Sequence, residues 1–433
     1  MARQRQYAPL QVLLNNRLVG HLLKEAGGSI NFHYAECWLS SSGAIPVSLS
    51  LPLREDAYNG ERVVAVFENL LPDSGLLRGR IAQRVGAKGT DAYSLLYQIG
   101  RDCVGALQFI PDGHDAIGDA SRISGEVISE KEIEKLLNNL ARAPLGLGPD
   151  QDFRISVAGA QEKTALLWHG GKWLKPHGTT PTTHILKTQI GTLPNGLDLS
   201  NSVENEYYCL KLLAAFGLPV NAAEIKVFGK TKALVIERFD RKRTEDGRLL
   251  RVPQEDFCQV LSCPPSLKYQ NQGGPGMVEV LDVLKGGDTP AEDQKAFLKS
   301  QILFWLLGAT DGHAKNFSVF LGPGGRFHLT PIYDVLTAQP SLVKRQIERK
   351  QMKLAMSVGN SRHYKIDDIK GRHFIQTAER AGLPGSIASE VLGDVAETAD
   401  SAIRTMEKQL PPGFPEEIHN SVKEALKTRL CRI

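Results

Sequence analysis

The chain has 433 residues, 42% apolar and 23% charged, the proportions of a globular protein too long for one ordinary core, so two lobes are expected. Its net charge of +4 is too small for the whole chain to coat nucleic acid, and its six scattered cysteines, with no CxxC pair, exclude a zinc-finger or disulfide scaffold. No run approaches the ~18 apolar residues of a membrane helix and the apolar start is too short for a signal peptide, so the expectation is a cytoplasmic protein with reduced thiols and no membrane contact.

Residues 1–145 mix strand-like runs, "PVSLSLPL" (46–53) and "GALQFIP" (105–111), with the helix-like "AVFENLLPDSGLLRGRIAQRV" (65–85). The Gly- and Pro-rich "APLGLGPDQD" (143–152) reads as a subdomain boundary. A strand meander follows: "FRISV", then "TALLWHGGKWLKP" as a hairpin turning at His169-Gly170-Gly171, then "THILKTQ". After a helix over 201–216, "AEIKVFGKTKALVIERFDR" reads as a second hairpin turning at Gly229-Lys230. Beyond about residue 255 the pattern is mostly helical. The expected segments are an N-terminal subdomain (1–145), a β-rich lobe (146–255) and a helical lobe (256–433), an α+β bilobal arrangement.

In "SVAGAQEKTALL" (156–167) the small residues Ala158, Gly159 and Ala160 let backbone N–H groups approach phosphate oxygens, and Lys163 adds charge. A plain hairpin loop explains the same stretch equally well, and Ser156 by default is a strand serine. Lys187 alternates with Ile185 and shares its face. The helix after it has an apolar stripe of Val203, Tyr207, Leu210, Leu213 and Ala214, with Glu206 inside the stripe and Glu204 toward its edge. A carboxylate aimed at a core needs a partner; Lys187 is the natural one, another base or a wet stripe margin the alternative. In "VIERFDR" (235–241), backbone groups of Glu237 and Phe239 suit an adenine edge and Asp240 a ribose, with Gln254 facing the same region. Taken alone, the stretch is also a plain connector.

The most informative stretch is "WLLGATDGHAKNFSVF" (305–320), where an apolar helix ends in Asp311, His313 and Asn316. Asp311 and Asn316 have the D-x4-N spacing of kinase catalytic loops. "FSVFL" and "RFHLTPI" read as two strands around the turn "GPGG", a hairpin that returns Asp334 beside Asn316. One carboxylate then orients an attacking hydroxyl, while an amide oxygen and a second carboxylate offer hard ligands to magnesium. Singly, each residue has an ordinary reading as turn, cap or hydrogen-bonded histidine; the order and the intervening hairpin favour the catalytic one. Finally, 341–373 carries nine Lys/Arg against three Asp/Glu and reads poorly as regular structure.

Together "RISVAGAQEKTALL", "TPTTHILK", "NEYYCLKLL", "ERFDR", "PQEDFCQ", "GGPG", "GATDGHAKNFSVF" and "LTPIYD" resemble the HipA family, the toxin kinases of bacterial toxin–antitoxin pairs. "SLSLPL", "FENLLPDS" and "IGRDCVGAL" extend the likeness over nearly the whole chain. The D-x-H-x-x-N order also resembles phosphatidylinositol kinases, so the implied fold is bilobal and protein-kinase-like. The resemblance implies a Ser/Thr protein kinase using ATP and Mg²⁺, with Asp311 as catalytic base, Asn316 and Asp334 as metal ligands and Lys187 on the phosphates. It places His313, Lys163, Gln254 and the Glu237–Phe239 backbone in the nucleotide pocket and makes Ser156 the autophosphorylated serine. The family's substrate class is aminoacyl-tRNA synthetase, notably the glutamyl enzyme, whose modification halts translation and produces dormant, persistent cells. Its partner is a dimeric helix-turn-helix antitoxin, HipB, that represses the operon. The basic stretch 341–373 is then either a solvated surface or a source of phosphate contacts to operator DNA. Two alternatives stand beside this reading: a small-molecule phosphotransferase, and a catalytically silent DNA-bound corepressor.

Overall fold

The structure, a computed structural model, describes residues 7–113, 123–147 and 161–433. They form two compact units, the first built from Met1–Thr188, Lys226–Ser266 and Val319–Phe327, the second from Gln189–Ile225, Leu267–Ser318 and His328–Ile433.

The first unit carries the two largest sheets among the described residues. In the N-terminal one the strands run Ile30–Tyr34, Arg17–Lys24, Leu10–Leu14, Leu107–Pro111 in spatial order. Leu14 pairs with Arg17 across Asn15 and Asn16, whose φ values of 47° and 63° are the left-handed conformation a two-residue hairpin demands and asparagine tolerates. Leu10, Val12, Val19, Leu22 and Phe32 pack into one core with Val66 and Phe67 of the helix Glu61–Glu68 and Leu95, Leu96 and Ile99 of Ala92–Ile99. "PVSLSLPL" is not a strand: it makes only an isolated bridge between Ser48 and Leu51. Pro46 and Pro52 remove ladder donors, and the Ser48 hydroxyl takes the Ser50 N–H at 3.1 Å instead.

The second sheet has six strands, in the order Ala223–Phe228, Thr231–Glu237, His184–Thr188, Lys163–His169, Lys172–Pro176, Gly125–Val127. Both expected hairpins are present. His169 pairs with Lys172 across Gly170 and Gly171, which have φ values of 57° and 75°, and the other hairpin turns at Gly229 (φ 61°). One face packs Leu166, Leu186, Val235 and Phe228 on Ile133 and Leu137 of the helix Glu130–Asn138.

The second unit is mostly helical: Met277–Leu284, Pro290–Leu307, Gly371–Arg380, Gly385–Gln409 and Glu416–Leu430, together with Ser202–Ala215, which comes from the 146–255 segment expected in the β-rich lobe. Ser202–Ala215 packs against Pro290–Leu307, Gly385–Gln409 and Glu416–Leu430. It therefore buries more than one stripe: Tyr208 is fully buried where Tyr207 was expected, Ala214 is exposed, and Glu204 is as buried as Glu206. The basic stretch 341–373 is more regular than its sequence suggests, because Lys353–Val358 and His363–Lys365 form a hairpin. Leu354 to Val358 are all buried, and a strand covered on both faces shows no alternation to read. All nine of the stretch's basic residues are exposed. Among the described residues no helix is long and apolar enough to cross a membrane.

Candidate active site

The helix Pro290–Leu307 carries the loop of interest at its C-terminal end. Gly308, at φ 71°, caps it, and a Cβ there would sit 2.4 Å from the Gln339 side chain. Arg429 donates to the Leu306 carbonyl at 2.7 Å, placing a cation at the negative end of the helix. Immediately beyond, the Asp311 carbonyl accepts from His313 N–H at 2.9 Å and Asn316 Nδ2 at 2.8 Å, while Asn316 N–H donates to the His313 carbonyl at 2.9 Å. Gly312 lies so close to the Phe304 ring that a Cβ would meet it at 2.4 Å. These contacts lock the backbone of a loop whose His313 and Asn316 are buried, yet they leave the Asp311 side chain 54% exposed. A carboxylate on an immobile base and open to solvent suits work on an incoming group.

The expected hairpin closes. Ser318–Leu321 and Phe327–Leu329 are neighbouring strands joined through Pro323–Gly325, and Thr330 N–H donates to the Ser318 carbonyl at 2.9 Å. The Tyr333 hydroxyl donates to the Lys315 carbonyl at 3.1 Å and, having one proton, accepts from Ser318 Oγ at 2.6 Å. This ties the residue before Asp334 to the residue before Asn316. Ile332 is held on its other side, donating to the Pro219 carbonyl at 2.9 Å and accepting from Asn221 N–H at 2.8 Å. Asp334 itself has φ 57°, a conformation that costs free energy outside glycine and concentrates at functional positions.

In the first unit, Lys163 and Lys187 sit directly opposite each other on neighbouring antiparallel strands, each only 5% exposed. Side chains so paired share a face about 5 Å apart, and like charges there repel. Glu237 is exposed at the end of its strand, and Phe239 meets Phe320 edge-on with ring centroids 5.6 Å apart. Gln254 Oε1 is buried without a hydrogen-bond partner among the described residues. Glu206, in the second unit, is 2% exposed. Ser156, Ala158 and Gly159 lie outside the described residues.

Asp240 departs from expectation. It is 3% exposed, and its oxygens accept from Arg238 Nε (3.0 Å), Arg238 Nη2 (2.8 Å) and Gly105 N–H (2.7 Å), so its acceptor capacity serves the fold rather than a ribose. It belongs to a buried cluster that motif spacing did not suggest. Asp102 accepts from Arg241 Nη2 at 2.8 Å, Arg251 Nε at 2.9 Å, Arg238 Nη1 at 3.3 Å and the Thr182 hydroxyl at 2.7 Å. Burial alone would raise the Asp102 carboxyl, but Arg241, Arg251 and Arg238 outweigh it and hold the group below the ordinary carboxylate range. Burial and neighbouring Arg238 pull Arg241 down to about 10. The other unanticipated residue is Tyr269, whose hydroxyl donates to Asp311 Oδ1 and whose ring meets His313 edge-on at 4.9 Å. Its one sequence signal is its place just before "GGPG".

Comparisons with known proteins agree along the chain. Residues 10–110 match the HipA N-terminal domain and residues 155–403 the HipA-like C-terminal domain. Y4mE of Sinorhizobium fredii, which carries the name of a kinase, is 32% identical over 403 residues, 92% of each chain. The serine/threonine-protein kinase toxin HipA of Shewanella oneidensis is 27% identical over 418 residues, 93% of this chain and 90% of the relative. A HipA structure from the Shewanella oneidensis MR-1 complex with HipB and operator DNA superposes with a TM-score of 0.78 at 25% identity, covering 98% of this chain and 96% of that one. The α+β architecture is thus the bilobal, kinase-like one, and the chain belongs to the HipA family of serine/threonine-kinase toxins.

Proposed function

We propose that the chain is an ATP-dependent serine/threonine protein kinase, the toxin of a toxin–antitoxin pair. The observation that carries this reading is the Tyr333 hydroxyl bridging Lys315 and Ser318, which draws the Asp334 segment back to the Asp311–Asn316 loop.

Asp311 is the base that orients and deprotonates the attacking hydroxyl. Among the described residues no three of His, Cys, Asp and Glu form a metal cluster. An amide oxygen and one carboxylate nevertheless fit magnesium, which takes one or two protein ligands and fills its shell with phosphate and water oxygens. Asn316 and Asp334 would hold the ion, which supplies charge neutralisation on the phosphates. Lys163 and Lys187 neutralise further phosphate charge, with Glu206 as the carboxylate that positions Lys187. Gln254, whose Oε1 has no hydrogen-bond partner among the described residues, His313 and the Glu237–Phe239 backbone complete the nucleotide pocket, with Ala158 and Gly159 in the loop over the phosphates. Ser156 is the autophosphorylation site, whose added negative charge opposes ATP's own phosphates.

The partner is a HipB-like dimeric antitoxin, with which the chain corepresses its operon; the Shewanella relative is solved with HipB and operator DNA, and the nine exposed basic residues of 341–373 suit DNA phosphates. The protein substrate is a translation component of the aminoacyl-tRNA synthetase class, in first place the glutamyl enzyme, and its modification drives dormancy.

Incubating the purified chain with Mg²⁺ and γ-labelled ATP tests the kinase reading. Label on Ser156, absent in Asp334→Ala, is expected; label transferred only to small molecules, or none despite bound Mg-ATP, contradicts it.

A further inference from the structure

The assigned roles leave one motif unused. In the segment Leu267–Gly276, "LKYQNQGGPG", each glycine contact serves the shape of one turn. The Tyr269 carbonyl accepts from Gln272 N–H and Gly274 N–H, both at 3.0 Å, and the Gln270 carbonyl accepts from Gly273 N–H at 3.1 Å. A Cβ on Gly274 would lie 1.8 Å from the Leu267 carbonyl oxygen, and one on Gly276 2.0 Å from the Gln270 amide. Gly273 takes φ 98°, open to glycine and costly for other residues. Gln270 Oε1 in turn accepts from Ser357 N–H at 2.6 Å, fastening the turn to a buried strand. What this bracing presents is the Tyr269 hydroxyl on Asp311 Oδ1, with the ring held against His313.

We propose that Tyr269 is the positioning residue for the catalytic carboxylate, an inference that rests on the reading of Asp311 as the base. Among the described residues the phenol is the one side-chain hydrogen-bond donor to Asp311, since His313 Nε2 stands 3.9 Å from the same oxygen, beyond hydrogen-bond range. An aspartate 54% exposed otherwise samples several rotamers. Engaging Oδ1 fixes the carboxylate and leaves Oδ2 for the substrate hydroxyl. The glycines of "GGPG" then serve catalysis at one remove, by permitting the turn that braces the phenol.

Tyr269→Phe removes the O–H and keeps the ring. A hydrogen bond to a charged group is worth roughly 10- to 100-fold, so kcat should fall by that factor while the KM for ATP and the melting temperature stay at wild-type values. In an Asp311→Asn background the same change should add no further loss, because the two residues act as one unit. An unchanged kcat overturns the proposal, as does a raised one, which would make the phenol a plug; so does a loss shared among kcat, KM and Tm, which would make it a packing residue. Asp311→Asn alone separates the two levels: full activity there removes the base assignment, whereas a dead Asp311→Asn beside an active Tyr269→Phe removes only the role of Tyr269.

Discussion

The Asp102 cluster offers a sharp test of how the first unit is held together. Asp102→Asn is nearly isosteric, but it converts a buried set of three arginines and two aspartates, net +1 by that count, into one of net +2. Asp102 Oδ2 accepts from Thr182 N–H (3.0 Å), the Thr182 hydroxyl (2.7 Å) and Arg238 Nη1 (3.3 Å), and an amide NH₂ in that place faces donors only. Removing one partner of a buried ion pair costs about 3–5 kcal/mol, a large share of the ~5–15 kcal/mol that holds a typical domain. At about 2–4 °C per kcal/mol for a unit of this size, the melting temperature should drop by roughly 6–20 °C. Urea unfolding followed by tryptophan fluorescence suits the measurement, since Trp38, Trp168 and Trp173 of the four tryptophans lie in this unit. Burial shields the cluster from salt, so raising NaCl should not restore the variant. The depressed carboxyl adds a pH signature. Its stabilisation is present above the unfolded value of ~3.9 and is lost only as the pH falls toward the lower folded value, so the gap between variant and wild type should persist from pH 8 to about pH 4. A variant within ~1 kcal/mol of wild type at pH 7 would refute the reasoning.

Two further perturbations probe other parts of the account. Glu255 is 1% exposed, accepts from Leu49 N–H at 2.6 Å through Oε1, and is pushed up to about 8 by burial. A raised carboxyl favours the fold fully below the unfolded value and loses that contribution as pH climbs through the folded one, so the wild type should weaken by up to ~1.4 kcal/mol per pH unit between about 4.5 and 8. Glu255→Gln does not titrate and should gain on the wild type across that window in paired melts; parallel curves would contradict the assignment. Tyr333→Phe leaves the Lys315 carbonyl and Ser318 hydroxyl without their bridge, and should weaken Mg-ATP binding roughly 10-fold by calorimetry. Unchanged affinity would mean that Asp334 needs no such tether.

Short-range chemistry in this chain was legible, and long-range chemistry was not. The hairpins at Gly170-Gly171, Gly229 and Pro323–Gly325 follow from glycines where φ must be positive, and the polar packet at the end of Pro290–Leu307 stands out because local spacing alone defines it. "PVSLSLPL" alternates like a strand, but its two prolines remove ladder donors, and 353–358 shows no period because the strand is covered on both faces. The Asp102 cluster joins residues up to 149 positions apart and the Tyr269–Asp311 bond spans 42; no local pattern records such pairings. Asp240 is the converse case: motif position suits it to a ligand, but the two arginines beside it, Arg238 and Arg241, already engage it.

The most direct test of the central claim is phosphoryl transfer by Asp311→Asn in single turnover with Mg²⁺ and labelled ATP. Nucleotide binding as in wild type is expected, with a transfer rate lower by about 10²–10⁴-fold, the range for losing a general base. A rate equal to wild type in a variant that binds ATP normally would contradict it.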